Sequence, residues 1–176
     1  MTTDNVSMDM RKDFVDSIVE QLDTELPGMG AEAIAPIARF SRLSVFLRRH
    51  VVDVLSEHEL SESEYNVLAA LRRSGAPYAL GPSVVSRSLL FTSGGLTPVL
   101  DRLTERGLIV REPDETDRRK IRIRLTPAGI ELHAAALRSH IRVSRELLAP
   151  LLPDERRLLS ALLRTLLVNF EEIEAA

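Results

Sequence analysis

At 176 residues with 44% hydrophobic side chains, the chain is long enough for one compact domain that buries roughly 70% of the surface its unfolded form exposes. Its formal net charge is only −3 and it has no cysteine, which excludes disulfides, thiol redox sensing and cysteine–zinc sites. No run of eighteen apolar residues occurs, and the N-terminal MTTDNVSMDMRKD lacks a signal-peptide core, so a soluble, cytoplasmic protein is expected.

Phe14, Ile18, Leu22 and Leu26 fall at i+4 spacing and predict a first helix that Pro27 and Gly28 end. From Ala31 to about Glu57, apolar residues from Ile34 through Phe40 and Leu47 to Val54 recur every three or four positions, which predicts one long helix. Ser61 and Glu64 form a capping box ahead of an apolar helix through Tyr65, Val67, Leu68 and Leu71 that stops at Ser74 and Gly75. A short helix follows, with Val84, Val85, Leu89 and Leu90 on its buried face. The break from Phe91 to Gly94 separates it from the next helix at helix-turn-helix distance.

That next helix carries Leu96, Val99, Leu100 and Leu103 in one apolar stripe and leaves Thr97, Arg102 and Arg106 on its other surfaces. Gly107 ends it. Leu108, Ile109 and Val110 then read as a strand, Pro113 and Asp114 as a turn, and Ile121, Ile123 and Leu125 as the inward face of a second strand. This is a two-stranded hairpin. Thr126 caps another helix with Pro127 at its first position, and its apolar series runs from Leu132 to Leu148. After Pro153, Leu159, Leu162, Leu163, Leu166, Leu167, Phe170 and Ile173 give the last helix a broad apolar face. Such a face is either an intramolecular core or an intersubunit surface.

Charge is distributed unevenly. Residues 1–30 carry two basic and seven acidic side chains, whereas residues 117–124 carry five basic and one acidic. The expected fold class is mainly α with a small β-hairpin wing: a winged helix-turn-helix flanked by N- and C-terminal helices. Residues 1–58 would supply the N-terminal helices, 59–126 the winged helix-turn-helix, and 127–176 the C-terminal helices, within a single domain.

The order of these elements, the segment LDRLTERGLI and the turn PDETDRR followed by LTPAG resemble the MarR family of bacterial transcriptional regulators. The likeness covers nearly the whole chain. EYNVLAALRRSGAPYAL, SLLFTSGGLTPVLDRL and the added N-terminal helix are similar to the branch that includes urate-responsive repressors. The resemblance implies a homodimer with its terminal helices packed around a two-fold axis, double-stranded DNA as partner and a small-molecule effector. The peroxide-sensing mode of some relatives needs cysteine and is excluded.

On the reading helix, Thr92, Ser93, Gly94, Gly95, Thr97, Pro98 and Arg102 are the candidate DNA contacts: the glycines for close backbone approach, the hydroxyls near the helix start, Arg102 as a fork of donors. Pro98 departs from the family, which commonly has a polar or basic residue there. In the family a D-x-R pattern inserts an arginine into the minor groove. Asp117, Arg118 and Arg119 fit that pattern, with Arg119 the match, Arg118 and Lys120 on flanking phosphates, and Asp117 orienting Arg119 or Arg102. A charge run is otherwise just a solvated hairpin tip.

Family ligands lie between the dimerisation helices and the reading domain, which implies Arg42, Phe46, Tyr65, Asn66 and Arg72 as ligand candidates, or else as ordinary packing and surface residues. The tryptophan and aspartate of urate-responsive relatives align with Leu22 and Asn66, which argues against urate. His50 and His58, and His133 and His140, share helix faces but lack the close spacing and supporting carboxylates of a zinc site, so neither metal nor cofactor is expected. No nucleophile elbow, phosphate-binding loop or H-E-x-x-H occurs, and an enzyme is not expected. The expected function is a repressor that binds a pseudo-palindromic operator as a homodimer and is released by a small molecule. Its alternatives are an effector-independent architectural DNA-binding protein and an interaction module with a degenerate reading helix.

Overall fold

The computed structural model describes residues 11–89, 95–114, 117 and 119–175. It divides into two compact units between His50 and Val51. The element order is α1 (Phe14–Glu25), a 3₁₀ turn (Ala31–Ile34), α2 (Ala35–Ser56), α3 (Glu62–Arg73), β1 (Ala79–Leu80), α4 (Pro82–Ser88), α5 (Leu96–Glu105), β2 (Ile109–Pro113), β3 (Ile121–Leu125), α6 (Pro127–Leu147) and α7 (Pro153–Ala175). The protein is mostly helical with one small antiparallel sheet. Among the described residues no helix is long and apolar enough to cross a membrane.

In the first unit, Asp13 caps α1 by accepting from the backbone N–H groups of Val15 and Asp16. Arg39 of α2 donates to Asp13 at 2.8 Å and to Asp16 at 2.5 Å. Its hydrogen bond holds the Asp13 carboxyl down to about 2. The Arg42 guanidinium lies 4.3 Å from the centre of the Phe14 ring, a cation–π contact. The long helix expected from Ala31 begins instead with a 3₁₀ turn after Gly30, whose φ is +72°.

The second unit holds the main core. Leu55, Leu68, Leu71, Val85, Leu103, Ile109, Ile123 and Leu125 pack together, and each such buried side chain contributes roughly 1.5–3 kcal/mol relative to leaving it in water. The sheet has three strands in the order β1-β3-β2, one more than the hairpin expected. Ala79 and Leu80 add the third edge opposite Arg124 and Ile123. Pro113 pairs with Ile121 inside β2 rather than turning the chain, because β2 is an edge strand where a missing N–H leaves no ladder bond unmade. Ile121 is 54% exposed; it sits at the hairpin tip, beyond the reach of the core that covers Ile123 and Leu125. Val84 is likewise exposed, since the single buried stripe of the seven-residue α4 is taken by Val85. Leu90 lies outside the described residues.

The turn between α5 and β2 is fixed by hydrogen bonding. Gly107 adopts φ +67°, its N–H reaches the Thr104 carbonyl, and Leu108 N–H reaches that of Leu103, both at 2.9 Å. This is the Schellman arrangement, which favours glycine. Thr126 then donates from its hydroxyl to the Gly107 carbonyl at 2.7 Å and from its backbone N–H to that of Leu108 at 3.1 Å, while its hydroxyl oxygen caps α6 at Gly129. The LTPAG segment thus clamps the start of α6 to the base of the wing.

Candidate nucleic-acid interface

α5 is positioned by its stripe. Leu96, Val99, Leu100 and Leu103 are all buried, so the opposite surface is held outward and Thr97, Pro98 and Arg102 are exposed. Gly95 is the N-cap of α5. Thr92, Ser93, Gly94 and Arg118 lie outside the described residues.

Arg102 is paired. Its Nε–H donates to Glu64 Oε1 at 3.3 Å, and Arg106 Nη1 lies 3.9 Å from the same oxygen while also donating to the Glu59 carbonyl at 2.8 Å. Glu64 also completes the α3 capping box expected from sequence. Burial pushes its carboxyl up, but the hydrogen bonds from Ser61 and the Arg102 guanidinium prevail and hold it below the usual carboxylate range. The partner of Arg102 is therefore Glu64, not Asp117. Sequence reasoning saw Glu64 only as a cap, because its contact with α5 spans 38 residues of chain.

On the wing, most strand arginines are internally compensated. Arg124 makes three bonds of 2.9–3.0 Å to Glu112, which lower the Glu112 carboxyl and raise the Arg124 guanidinium. Arg122 lies 3.6 Å from Asp114, and Arg111 donates to Asp101 at 2.6 Å, tying the wing to α5. Asp117 accepts from the backbone N–H of Arg119 at 3.1 Å and lies 3.4 Å from the Lys120 ammonium. It shapes the tip and pairs with Lys120. Arg119 is exposed, and among the described residues no carboxylate pairs with its guanidinium.

The ligand candidates are spread over both units. Arg42 stacks on Phe14 and Phe46 is exposed; both belong to the first unit. In the second, α3 carries Tyr65, Asn66 and Arg72. Arg72 covers the Tyr78 ring at 4.3 Å, Asn66 is half-buried, and Tyr65 is sandwiched between His133 and His140. His58 Nε2 lies 2.9 Å from Ser139 Oγ. Among the described residues no three histidines and carboxylates gather as a metal site would require.

A profile described as the MarR family matches residues 58–120. The HTH-type transcriptional regulator PecS of Dickeya dadantii is 38% identical over 149 residues, covering 85% of this chain and 90% of its own. A MarR mutant of E. coli complexed with operator DNA matches with TM-score 0.63 and 25% identity, over 76% of this chain and 97% of its own. Bordetella bronchiseptica BpsR, whose structure addresses regulation of DNA binding by 6-hydroxynicotinic acid, matches with TM-score 0.58 and 25% identity, over 73% of this chain and 98% of its own.

Proposed function

The chain belongs to the MarR family of transcriptional regulators, DNA-binding proteins rather than enzymes, and from that membership we propose that it is a cytoplasmic, ligand-responsive repressor. A homodimer presents two copies of α5 to successive major grooves of a pseudo-palindromic operator, with the wings on the flanking minor grooves. Residues 59–126 form the DNA-reading part, and 1–58 and 127–176 the dimerisation helices. A small molecule then favours a helix separation that does not match the operator. The observation that most supports this reading is the exposed face of α5, with Thr97 and Arg102, held by a buried stripe beside a wing whose tip carries Arg119. The likeness to operator-bound MarR supports it further.

Two faces support the homodimer. On α7, Leu162, Leu166, Leu167 and Phe170 are exposed in the single chain, as are Ile37, Phe40 and Leu43 on α2. Apolar faces of this extent are covered in working proteins, and a second copy covers them symmetrically.

The effector is aromatic or carboxylate-bearing and is not urate, since Leu22 and Asn66 stand where urate-responsive relatives have an aromatic and an acid. Asn66 offers a donor and an acceptor but no charge. Gel shift against the DNA upstream of its own gene, with urate and 6-hydroxynicotinate titrated into the complex, tests the proposal. Release by the aromatic acid and retention with millimolar urate are expected, and by linkage the operator should weaken effector binding by the same factor. Failure to bind the upstream DNA would sink the repressor reading; release at micromolar urate would sink the effector assignment alone.

A further inference from the structure

Glu64 is 5% exposed, and a buried carboxylate persists only where hydrogen bonds and an opposite charge satisfy it. Capping does not explain its charge. The box needs an acceptor at that position, accepting from Ser61 N–H at 2.9 Å and Ser61 Oγ–H at 2.7 Å, and a glutamine carbonyl serves the backbone bond as well. The charge is answered from another helix, by Arg102 Nε–H at 3.3 Å and the more distant Arg106 guanidinium. The Arg102 side chain remains 51% exposed while Glu64 beneath it is covered.

We infer that Glu64 is a positioning residue for DNA reading: it holds Arg102 by Nε, offsets its charge, and turns the terminal amino edge of the guanidinium outward as a two-donor fork for the O6/N7 edge of a guanine in the major groove. The assignment rests on α5 being the reading helix. A guanidinium has five N–H donors in a fixed plane; with Nε–H committed to Glu64, the Nη1/Nη2 edge is the pair that can face a base. Phosphate affinity comes from net charge and counterion release. An arginine already offset by a buried carboxylate brings little of that, so its contribution is directional. Pro98, one turn earlier on the same side of α5, has no side-chain donor, which leaves base reading along that line to Arg102. Arg119 is the counterpart, exposed on the wing with its charge uncompensated among the described residues.

The test uses the full chain with two duplexes of equal length, the DNA upstream of its own gene and an unrelated sequence, and compares the ratio of affinities. Glu64→Gln keeps the capping acceptor and removes the charge; it should lower the ratio about tenfold, leave binding to the unrelated duplex equal or stronger, and not flatten the salt dependence. In an Arg102→Ala background the same change should have no further effect on the ratio, because the two residues act as one unit. Arg102→Lys, an exposed change that keeps the ion pair and the fold, should lose the discrimination as Glu64→Gln does. An unchanged ratio in Arg102→Lys, or an effect of Glu64→Gln that simply adds to that of Arg102→Ala, overturns the assignment while α5 stands as reader. A wild-type protein that binds both duplexes equally overturns the reading helix and this role of Glu64 together.

Discussion

The His133 imidazole lies stacked on the Tyr65 ring, centres 5.6 Å apart and planes inclined by 20°, at the contact between α6 and α3. His133 is 4% exposed, and its Nδ1 has no hydrogen-bond partner among the described residues. Burial, with the positive charges of Arg72 and Arg73, pushes its pKa below the ordinary 6.5. The unfolded chain therefore binds a proton at a higher pH than the folded one. The stabilising contribution of neutral His133 is complete above pH 6.5 and is lost as pH falls from there through the folded value. Urea midpoints should drop between pH 7 and pH 5, above the range where Glu64 titrates. His133→Phe, which keeps a ring against Tyr65 and removes the proton site, should flatten that drop. Parallel losses in both proteins would show that another group carries the dependence.

Much of this architecture was legible because its determinants are local. The Ser61–Glu64 capping box, the α5 stripe, the Gly107 stop and the Thr126–Pro127 start each act within a few residues of chain, and all were found where expected. What escaped depends on partners distant in sequence. The two-residue β1 is too short to carry a periodic signal and exists because β3 offers it an edge. The burial of His133 follows from how α6 packs on α3, which the sequence of α6 alone does not show. The link between Glu64 and Arg102 likewise spans 38 residues of chain, so the sequence shows Glu64 only as a cap and offers Asp117 as a carboxylate for Arg102.

Gly129 shows why that position in the LTPAG segment is glycine. A Cβ there would lie 2.1 Å from the Leu108 carbonyl oxygen and 3.2 Å from Leu125 Cδ2, and the oxygen belongs to backbone already engaged with Thr126. Gly129→Ala should therefore destabilise by about 1–3 kcal/mol or more through overpacking, despite alanine's better helix propensity. That corresponds to roughly 2–4 °C per kcal/mol in the thermal midpoint. Ala128→Ser, at the exposed neighbouring position, should leave the midpoint in place; equal behaviour of the two variants would refute the clash.

Leu166 is 52% exposed on the apolar face of α7, which the proposed homodimer covers. Wild-type protein at micromolar concentration should sediment as a dimer. Leu166→Glu should shift it toward monomer or unfold it, because a carboxylate in that interface has no partner to offset its desolvation. A monomeric wild type would remove the dimer, and with it the two-fold match to a palindromic operator.

Arg119 and Arg124 stand on the same wing with opposite electrostatic situations, and their substitution should separate charge from shape. Arg124 spends its charge on Glu112 through three hydrogen bonds, whereas the Arg119 guanidinium meets no carboxylate among the described residues at the exposed tip. An uncompensated guanidinium is attracted to the negative potential of the minor groove and displaces condensed counterions there. Arg119→Ala should weaken operator binding by about 1–3 kcal/mol and reduce the slope of log affinity against log salt by about 1. The thermal midpoint should not move, since exposed positions away from packing rarely change stability. Arg124→Ala leaves Glu112 unpaired beside the strand, so its effect should appear in the stability of the wing more than in the salt slope. Gel shifts across a salt series, beside thermal unfolding of both variants, measure this directly. Equal affinities of wild type and Arg119→Ala at moderate salt would leave the wing as a structural hairpin and place the DNA contacts on α5 alone.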